Sequence, residues 1–425
     1  MSDSVPNDWL LFSISDICNG RYGVVDGPFG SNLKSEHYRE SGIPVFQSGF
    51  VTSNRFVKKN YVYVDKEKYE EQIRSSAGPG DILMAKIGMN AGACAIIPDG
   101  HPIGLLAGNS LKMSVNEDIA SNCYLVHHLH FMQQSGEIRK LLTETAQPAI
   151  SITTLKKHYV PLPPLLEQKK IASTLTSVDD VIEKTQAQIG KLKDLKTGMM
   201  QELLTRGVGV DGKPHTEFKD SPVGRIPKGW DVCLLDKVAK RGSGHTPDKK
   251  KPEYWNDGIK WVSLTDSSSL DKLYITDTSK KISQLGIENS SATLHPTGTV
   301  VMARDAGIGK SAITRSPMAV SQHFMAWVCG DRLDNYYLYY LLQYWKPKFE
   351  AIAMGSTIKT IGLPYFKKLQ VPLPKMEEQQ LISNSLKSVD GKIFALERKH
   401  LQLINTKKAL MQDLLTGKVR VKVDS

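Results

Sequence analysis

The chain has 425 residues, 40% apolar and 23% charged, with a net charge of +11 and a pI near 9.2. That length exceeds a typical single domain of roughly 100 to 150 residues and calls for at least two cores, while the absence of any apolar run of about 18 residues argues against a membrane partner. The basic balance favours a polyanion, since each phosphate neutralised by Lys or Arg releases a condensed counterion, although charge alone leaves open a basic protein that binds no nucleic acid.

The N-terminus, Met1 to Trp9, has no basic segment followed by an apolar one, so a secretory signal is not expected and the cytoplasm is the expected compartment. Cys18, Cys94, Cys123, Cys233 and Cys329 are odd in number, scattered and never spaced as Cys-x-x-Cys. They read as reduced packing residues, not a disulfide framework or zinc site.

In chain order, residues 1–158 mix short β runs, bounded by Gly, Pro, Asn and Ser, with a few helices, which is an α+β pattern. Trp9 stands just before the first β run, where an aromatic anchors chain to core more often than it stacks on a base. Gly80 to Lys86 (Gly-Asp-Ile-Leu-Met-Ala-Lys) is a β-rich run ending in a cation, and Asn122 to Leu125 opens a helical stretch with an aromatic and histidine face.

Residues 159–208 begin with Val-Pro-Leu-Pro at Val160 to Pro163 and then run to the end of a long helix without proline. Ile171, Leu175, Val178, Ile182, Thr185, Ile189, Leu192, Lys196, Met199 and Leu203 alternate steps of four and three, the spacing of an a/d seam. A Gly- and Pro-rich connector without apolar periodicity follows at 209–229.

The second half repeats the first. Val371 to Val419 aligns without a gap to Val160 to Val208, with roughly 20 of about 49 positions identical, so the chain is a tandem duplication. Shared landmarks are Glu167/Gln168 with Glu378/Gln379, Ser177 to Asp179 with Ser388 to Asp390, and Met200 to Thr205 with Met411 to Thr416. Within 370–425 the seam recurs at Ile382, Leu386, Val389, Ile393, Leu396, His400, Leu403, Lys407, Leu410 and Leu414, with Lys407 in the register of Lys196. The stretch 230–369 echoes the first domain more weakly: Pro227 to Trp230 parallels Pro6 to Trp9, Gly298 to Arg304 parallels Gly80 to Lys86, and Asn335 to Leu338 parallels Asn122 to Leu125.

Two helices of about 35 residues, each about 50 Å long, can bury these seams against each other. An approximate two-fold between the halves would make them antiparallel and carry the two domains to opposite ends of a rod. A seam packed on its own domain, or zipped to another chain, is the alternative.

With these features assembled, the chain resembles the specificity subunits of type I restriction-modification systems. The resemblance rests on the two Pro-Leu-Pro…Glu-Gln helix starts, the Leu-Leu-Thr ends at Leu203 to Thr205 and Leu414 to Thr416, and Gly212 to Trp230 (Gly-Lys-Pro-His-Thr-x-Phe-Lys-Asp-Ser-Pro-x-Gly-x-Ile-Pro-x-Gly-Trp). It implies two α+β target-recognition domains, 1–158 and 230–369, joined by two long antiparallel coiled-coil helices, the central and distal helical regions. Each domain would read half of a bipartite target in double-stranded DNA, and the helices would set the spacer. The helices would also dock two adenine-N6 methyltransferase subunits and, in the full complex, two motor-nuclease subunits. S-adenosylmethionine, ATP and magnesium would belong to those partners, leaving this chain without cofactor, metal or catalysis.

Chemistry-bearing patterns are correspondingly weak. Gly309-Lys310-Ser311 lacks the first glycine of a phosphate loop, since Arg304 stands there, and reads instead as part of a basic β-loop-β element from Arg304 to Arg315. His127, His128 and His130 are matched in the repeat by Tyr340, Leu341 and Gln343, which cannot reproduce a ligand set. No Asn-Pro-Pro-Tyr or Asp-Pro-Pro-Tyr occurs for holding a flipped base, and Asp211-Gly212-Lys213 is too short a piece to indicate a nuclease.

Candidate DNA-binding residues are polar positions on loops after β runs: Lys34, Gln47, Ser48, Lys86 and Asn109 in the first domain, and Arg241, Thr265, Arg304, Gln322 and His323 in the second. Arg and Lys suit guanine or phosphate, Gln and Asn suit adenine. Lys86 and Arg304 stand out because both copies keep a cation there. Two rivals remain at this point: the specificity subunit of a related system with fused partners, and a coiled-coil interaction protein with no DNA role.

Overall fold

The structure is a computed structural model, described here for residues 6–143, 147–355 and 358–422. It divides into two compact units, residues 1–185 with 399–425, and residues 186–398.

The first unit contains strands β1 (Leu10–Ser13), β2 (Val24–Asp26), β3 (Ile43–Phe46) and β4 (Tyr63–Val64), helix α1 (Lys66–Glu71), and strands β5 (Ser76–Ala77), β6 (Ile82–Ala85), β7 (Cys94–Ile96), β8 (Gly104–Leu106) and β9 (Ser110–Met113). Helices α2 (Asn122–Ser135) and α3 (Ile152–Lys157) and strand β10 (Tyr159–Leu162) precede α4 (Leu165–Thr205). One antiparallel sheet has the order β2-β9-β6-β7 and a second the order β4-β3-β8-β5, in which β3 and β8 run parallel. β1 pairs with β10, tying the start of the domain to the residues before α4.

The second unit contains β11 (Phe218–Lys219), β12 (Ile226–Pro227), β13 (Asp231–Leu234), β14 (Ala239–Ser243), β15 (Trp255–Val262), β16 (Tyr274–Ile275) and β17 (Lys280–Ile282), then α5 (Gln284–Glu288). There follow β18 (Val300–Ala303), β19 (Ser311–Thr314), β20 (Ala319–Val320), β21 (Phe324–Cys329), α6 (Asn335–Tyr344), α7 (Lys346–Ile352), α8 (Leu363–Lys367), β22 (Gln370–Leu373) and α9 (Met376–Leu415), of which residues 399–415 belong to the first unit, as residues 186–205 of α4 belong to the second. Its main sheet, β14-β21-β18-β19-β16, repeats the first unit's order with one added strand. The smaller sheet β17-β15-β20 has one antiparallel and one parallel pair, where its counterpart in the first unit has two antiparallel pairs and one parallel, and β13 pairs with β22 as β1 does with β10. The duplication read from the helices therefore extends through both mixed domains.

Identical devices fasten each domain to its long helix. Gln168, 1% exposed, accepts the Ser121 backbone N–H at 2.9 Å and donates to the carbonyls of Pro163 at 2.9 Å and Ile119 at 3.3 Å. Gln379 does the same with Asp334, Pro374 and Arg332. Ser121 and Asp334 are in turn the N-caps of α2 and α6, and their side-chain oxygens meet a first-turn N–H, as good caps do. Asn122 and Asn335 donate to the carbonyls of Gly80 and Gly298 just before the central strand of each sheet.

The neighbouring glutamates differ in partner. Buried Glu167 takes a two-pronged contact from Arg420, which also grips Asp8. Buried Glu378 instead accepts from Val208 N–H at 3.1 Å and meets His215 of the connector at 2.8 Å.

α4 and α9 are 41 and 40 residues long, exceeding the expected 35 because each begins right after its prolines. Every seam position on both is buried or half-buried. Ile171, Leu175, Met411, Leu414 and Leu415 join the first unit's core, and Leu204, Ile382 and Leu386 join the second's. Ile189, Val389 and Ile393 form a cluster of their own with Leu192, Met199 and Leu396. Trp9 and Trp230 are buried at 5% and 1% exposure, as anchors rather than stacking platforms. The five cysteines are unpaired. Among the described residues no helix is long and apolar enough to cross a membrane.

Candidate nucleic-acid interface

Four apolar residues carry each central strand through the core, and the chain then turns at a cation. All of β6 and all of β18 are buried, so Lys86 and Arg304 are the first side chains of their strands to reach the rim of the domain. The two rims have one backbone plan. Lys86 N–H donates to Asn109 at 2.9 Å and its carbonyl accepts from Ile150 at 2.8 Å; Arg304 N–H donates to His323 at 2.9 Å and its carbonyl accepts from Ile361 at 3.0 Å.

Beyond each cation lies a hairpin loop closed by a left-handed glycine. Gly92 (φ 92°) and Gly309 (φ 79°) donate to Ala85 and Ala303. A Cβ on Gly92 would stand 2.7 Å from Ile138, and one on Gly309 2.8 Å from Lys346, so the turn admits neither the conformation nor the bulk of a larger residue. A β-loop-β unit is present, formed by β18 and β19, but its first strand ends at Ala303, so the expected span from Arg304 to Arg315 holds only the loop and the second strand.

The side chains are held in place. Lys86 is ion-paired with Asp26 and lies 4.0 Å over the Phe29 ring, leaving 13% of its side chain exposed. Arg304 stands 3.5 Å from the Asp305 carboxylate and 3.5 Å from the Thr360 hydroxyl. Asp305 also holds His323 at 2.7 Å and accepts from Thr360. Such pairing preorients donors and acceptors and lowers the free positive charge each cation offers to a phosphate.

The structure gathers Ser48, Lys86 and Asn109, since the Asn109 side chain accepts from Ser48 N–H at 3.2 Å, with Gln47 next in chain. It likewise gathers Arg304 and His323, with Gln322 adjacent and accepting from Thr246. Thr265 bonds Ser263 at 2.7 Å. Lys34 pairs with Glu36 at 3.5 Å, and Arg241 is bound to Asp236 at 3.0 Å within the second unit. Sequence reasoning missed Asp26, Phe29, Asp305 and Thr360. Only Asp305, adjacent to Arg304, left a signal; Asp26 is distant in sequence from Lys86. It also missed Met89, 98% exposed in the first hairpin loop.

The histidines on α2 serve packing. His127 bonds Thr176 at 3.0 Å and His130 bonds the Cys94 carbonyl at 2.8 Å. Burial pushes His127 and His128 down to about 3. Among the described residues no group of three or more His, Cys, Asp or Glu is placed to hold a metal.

With this geometry in view, comparison with known proteins gives a consistent picture. Residues 6–193 and 227–406 each match the family described as type I restriction modification DNA specificity domain. A protein of Methanocaldococcus jannaschii assigned as the type I restriction enzyme MjaX specificity subunit is 30% identical, over 98% of this chain and 95% of its own length. The MjaVIII specificity subunit of the same organism is 29% identical over 98% and 94%. Among solved structures, the type I restriction-modification S subunit from M. genitalium superposes with a TM-score of 0.60 at 12% identity, covering 99% of this chain and 98% of that one. A chain from a study of complex assembly and conformational transition in a type I R-M system gives 0.57 at 17% identity, covering 98% and 100%. At such identities the structural likeness concerns the fold.

Proposed function

Since this chain belongs to the type I restriction-modification DNA specificity family, as a non-catalytic specificity subunit with two tandem recognition domains, we propose that each domain reads one half of a split DNA target and that the long helices fix the spacer between the halves. The observation that carries this reading is the repetition of one rim, cation, hairpin and supporting strand order in both domains.

The recognition domains are assigned to 1–158 and 230–369, the helical regions to 159–208 and 370–425, and the connector to 209–229. The long helices act as an antiparallel coiled coil. Supporting this, Lys193 meets Glu397 and Lys196 meets Asp390 in the second unit, so that advancing along α4 means retreating along α9, and in the first unit Asp179 of α4 meets Lys407 of α9.

Base reading falls to Gln47, Ser48, Lys86 and Asn109 in one half-site and Thr265, Arg304, Gln322 and His323 in the other, with Lys34 and Arg241 as outlying phosphate contacts. Two adenine-N6 methyltransferase subunits and two motor-nuclease subunits complete the assembly and carry its S-adenosylmethionine, ATP and magnesium. The assembly works in the cytoplasm.

The test is to express the chain with its methyltransferase in a methylation-free host and map N6-methyladenine across the genome. Two short specified halves around a fixed run of unspecified bases support the reading; a continuous motif, or none from a stable complex, overturns it. Exchanging residues 1–158 for a relative's domain should replace one half of the motif and leave the other intact. Inserting one heptad into both helices, about 10 Å of added length, should lengthen the spacer by about three base pairs at 3.4 Å each, and an unchanged spacer would remove the helices' role as a ruler.

A further inference from the structure

Two seam positions that should be apolar are lysines, and the structure gives each an aspartate. Lys196 Nζ lies 2.7 Å from Asp390 in the second unit, and Lys407 Nζ lies 2.7 Å from Asp179 in the first. The four side chains are only 17% to 29% exposed. Lys196 and Lys407 occupy matched positions of the repeat, as do Asp179 and Asp390, so each contact joins α4 to α9 and uses one residue from each repeat. In the second unit the Tyr340 hydroxyl also donates to Asp390 at 2.7 Å, and Lys196 lies 5.4 Å over the Tyr340 ring. Beside Asp179 and Lys407 stands His130, whose proton affinity both charges influence. The exposed Lys193–Glu397 pair has no such twin, since the matched positions are Ile404 and Gln186.

Half-buried ion pairs add little stability over apolar residues of similar volume, because desolvation offsets attraction. Their effect lies in what they forbid. A slip of one heptad between α4 and α9 would keep apolar residues facing apolar residues along most of the seam. It would, however, set Asp390 against Ile189 or Leu203, and Asp179 against His400 or Leu414. Three of those four alternatives desolvate a carboxylate with no partner, which is the circumstance in which a polar seam residue fixes register.

We propose that the crossed Lys196–Asp390 and Lys407–Asp179 pairs are specificity-determining residues that lock the register of α4 on α9 and thereby the spacer of the DNA target. The proposal rests on the ruler reading above, but the register itself is measurable without DNA.

Spin labels at exposed Lys191 and Lys392, both in the second unit, report the register in the assembled complex with methyltransferase. Wild type should give one narrow distance. Asp390→Lys should broaden that distance or displace it by up to about 10 Å, one heptad of rise, and the swap Lys196→Asp/Asp390→Lys should restore it. The apolar pair Lys196→Leu/Asp390→Leu separates register from stability: it should fold at least as firmly as wild type yet give a broadened distance, and a motif map with mixed spacers. A narrow wild-type distance in the apolar pair or in Asp390→Lys, or failure of the swap to restore it, overturns the proposal. A locked register whose motif is not split overturns the ruler reading instead.

Discussion

Replacing Gln168 by Leu should lower the stability of the first unit by about 3 to 4 kcal/mol, and Gln379→Leu should do the same to the second. Leucine matches glutamine in volume, so the cost comes from what is left behind. At Gln168 these are the Ser121 N–H and the Pro163 carbonyl, both 2.9 Å from the amide, and the Ile119 carbonyl at 3.3 Å. A buried backbone group stripped of its partner costs about 1 to 3 kcal/mol, and two or three lose theirs at once. Ser121 and Asp334 also cap α2 and α6, so freeing their backbone loosens the first turn of the helix closing each domain. Gln188, exposed on the same long helix, is the control, and Gln188→Leu should stay within about 0.5 kcal/mol. Hydrogen exchange resolved by unit, with denaturant titration, reads both effects. Equal stability of Gln168→Leu and Gln188→Leu would show that the amide is not the fastening it resembles.

That fastening also marks where the sequence stops being legible. The Glu-Gln pair is conspicuous as a repeated landmark, yet its purpose depends on Ser121 and Asp334, each more than 40 residues away and set by the domain's folding. The long helices were readable because their signal is local: prolines mark the start, and a four-three alternation runs through each. The sheets were readable only as a class. Strands such as β4, β5, β16 and β20 have two residues each, too few for an alternating pattern. The parallel contacts of β3 with β8 and of β15 with β20 join segments about 60 residues apart. At the rim, the paired cations at Lys86 and Arg304 were visible because the repeat keeps them, but their neutralising partners were not. Asp26 serves Lys86 from a distant strand, while Asp305 serves Arg304 from the next residue. Two copies of one rim have thus reached similar electrostatics by different routes, which no comparison of aligned positions displays. The seam lysines, read as interruptions of an apolar pattern, acquire their meaning only from the aspartates opposite them.

Acid should weaken the first unit before the second. His127 and His128 sit on the buried face of α2, and each has an Nδ1 shut away from water with no hydrogen-bond partner. Burial, the dominant cause, holds both down to about 3 from an ordinary 6.5, and nearby His130, Lys407 and His158 push the same way. Burial likewise lowers His130 and His158. In the folded chain these rings stay neutral, whereas in the unfolded chain they take up protons near pH 6.5. Their neutral burial is therefore without penalty above about pH 6.5, and stability falls as pH drops from there toward 3. Each buried ring contributes a slope of about 1.4 kcal/mol per pH unit within that window. Between pH 6.5 and pH 5, with the unfolded rings half protonated at the start, His127 and His128 together should remove about 3 kcal/mol from the first unit. In the second unit burial also lowers the proton affinity of His295, one ring against the four so lowered in the first unit, so the second unit's loss over the same interval should be smaller. Hydrogen exchange at pH 7 and pH 5, corrected for intrinsic rates, should show protection of α2 and the β2-β9-β6-β7 sheet falling first. The double variant His127→Leu/His128→Leu should flatten much of that dependence. Equal acid sensitivity in both units, or an undiminished slope in the double variant, would place the proton uptake elsewhere.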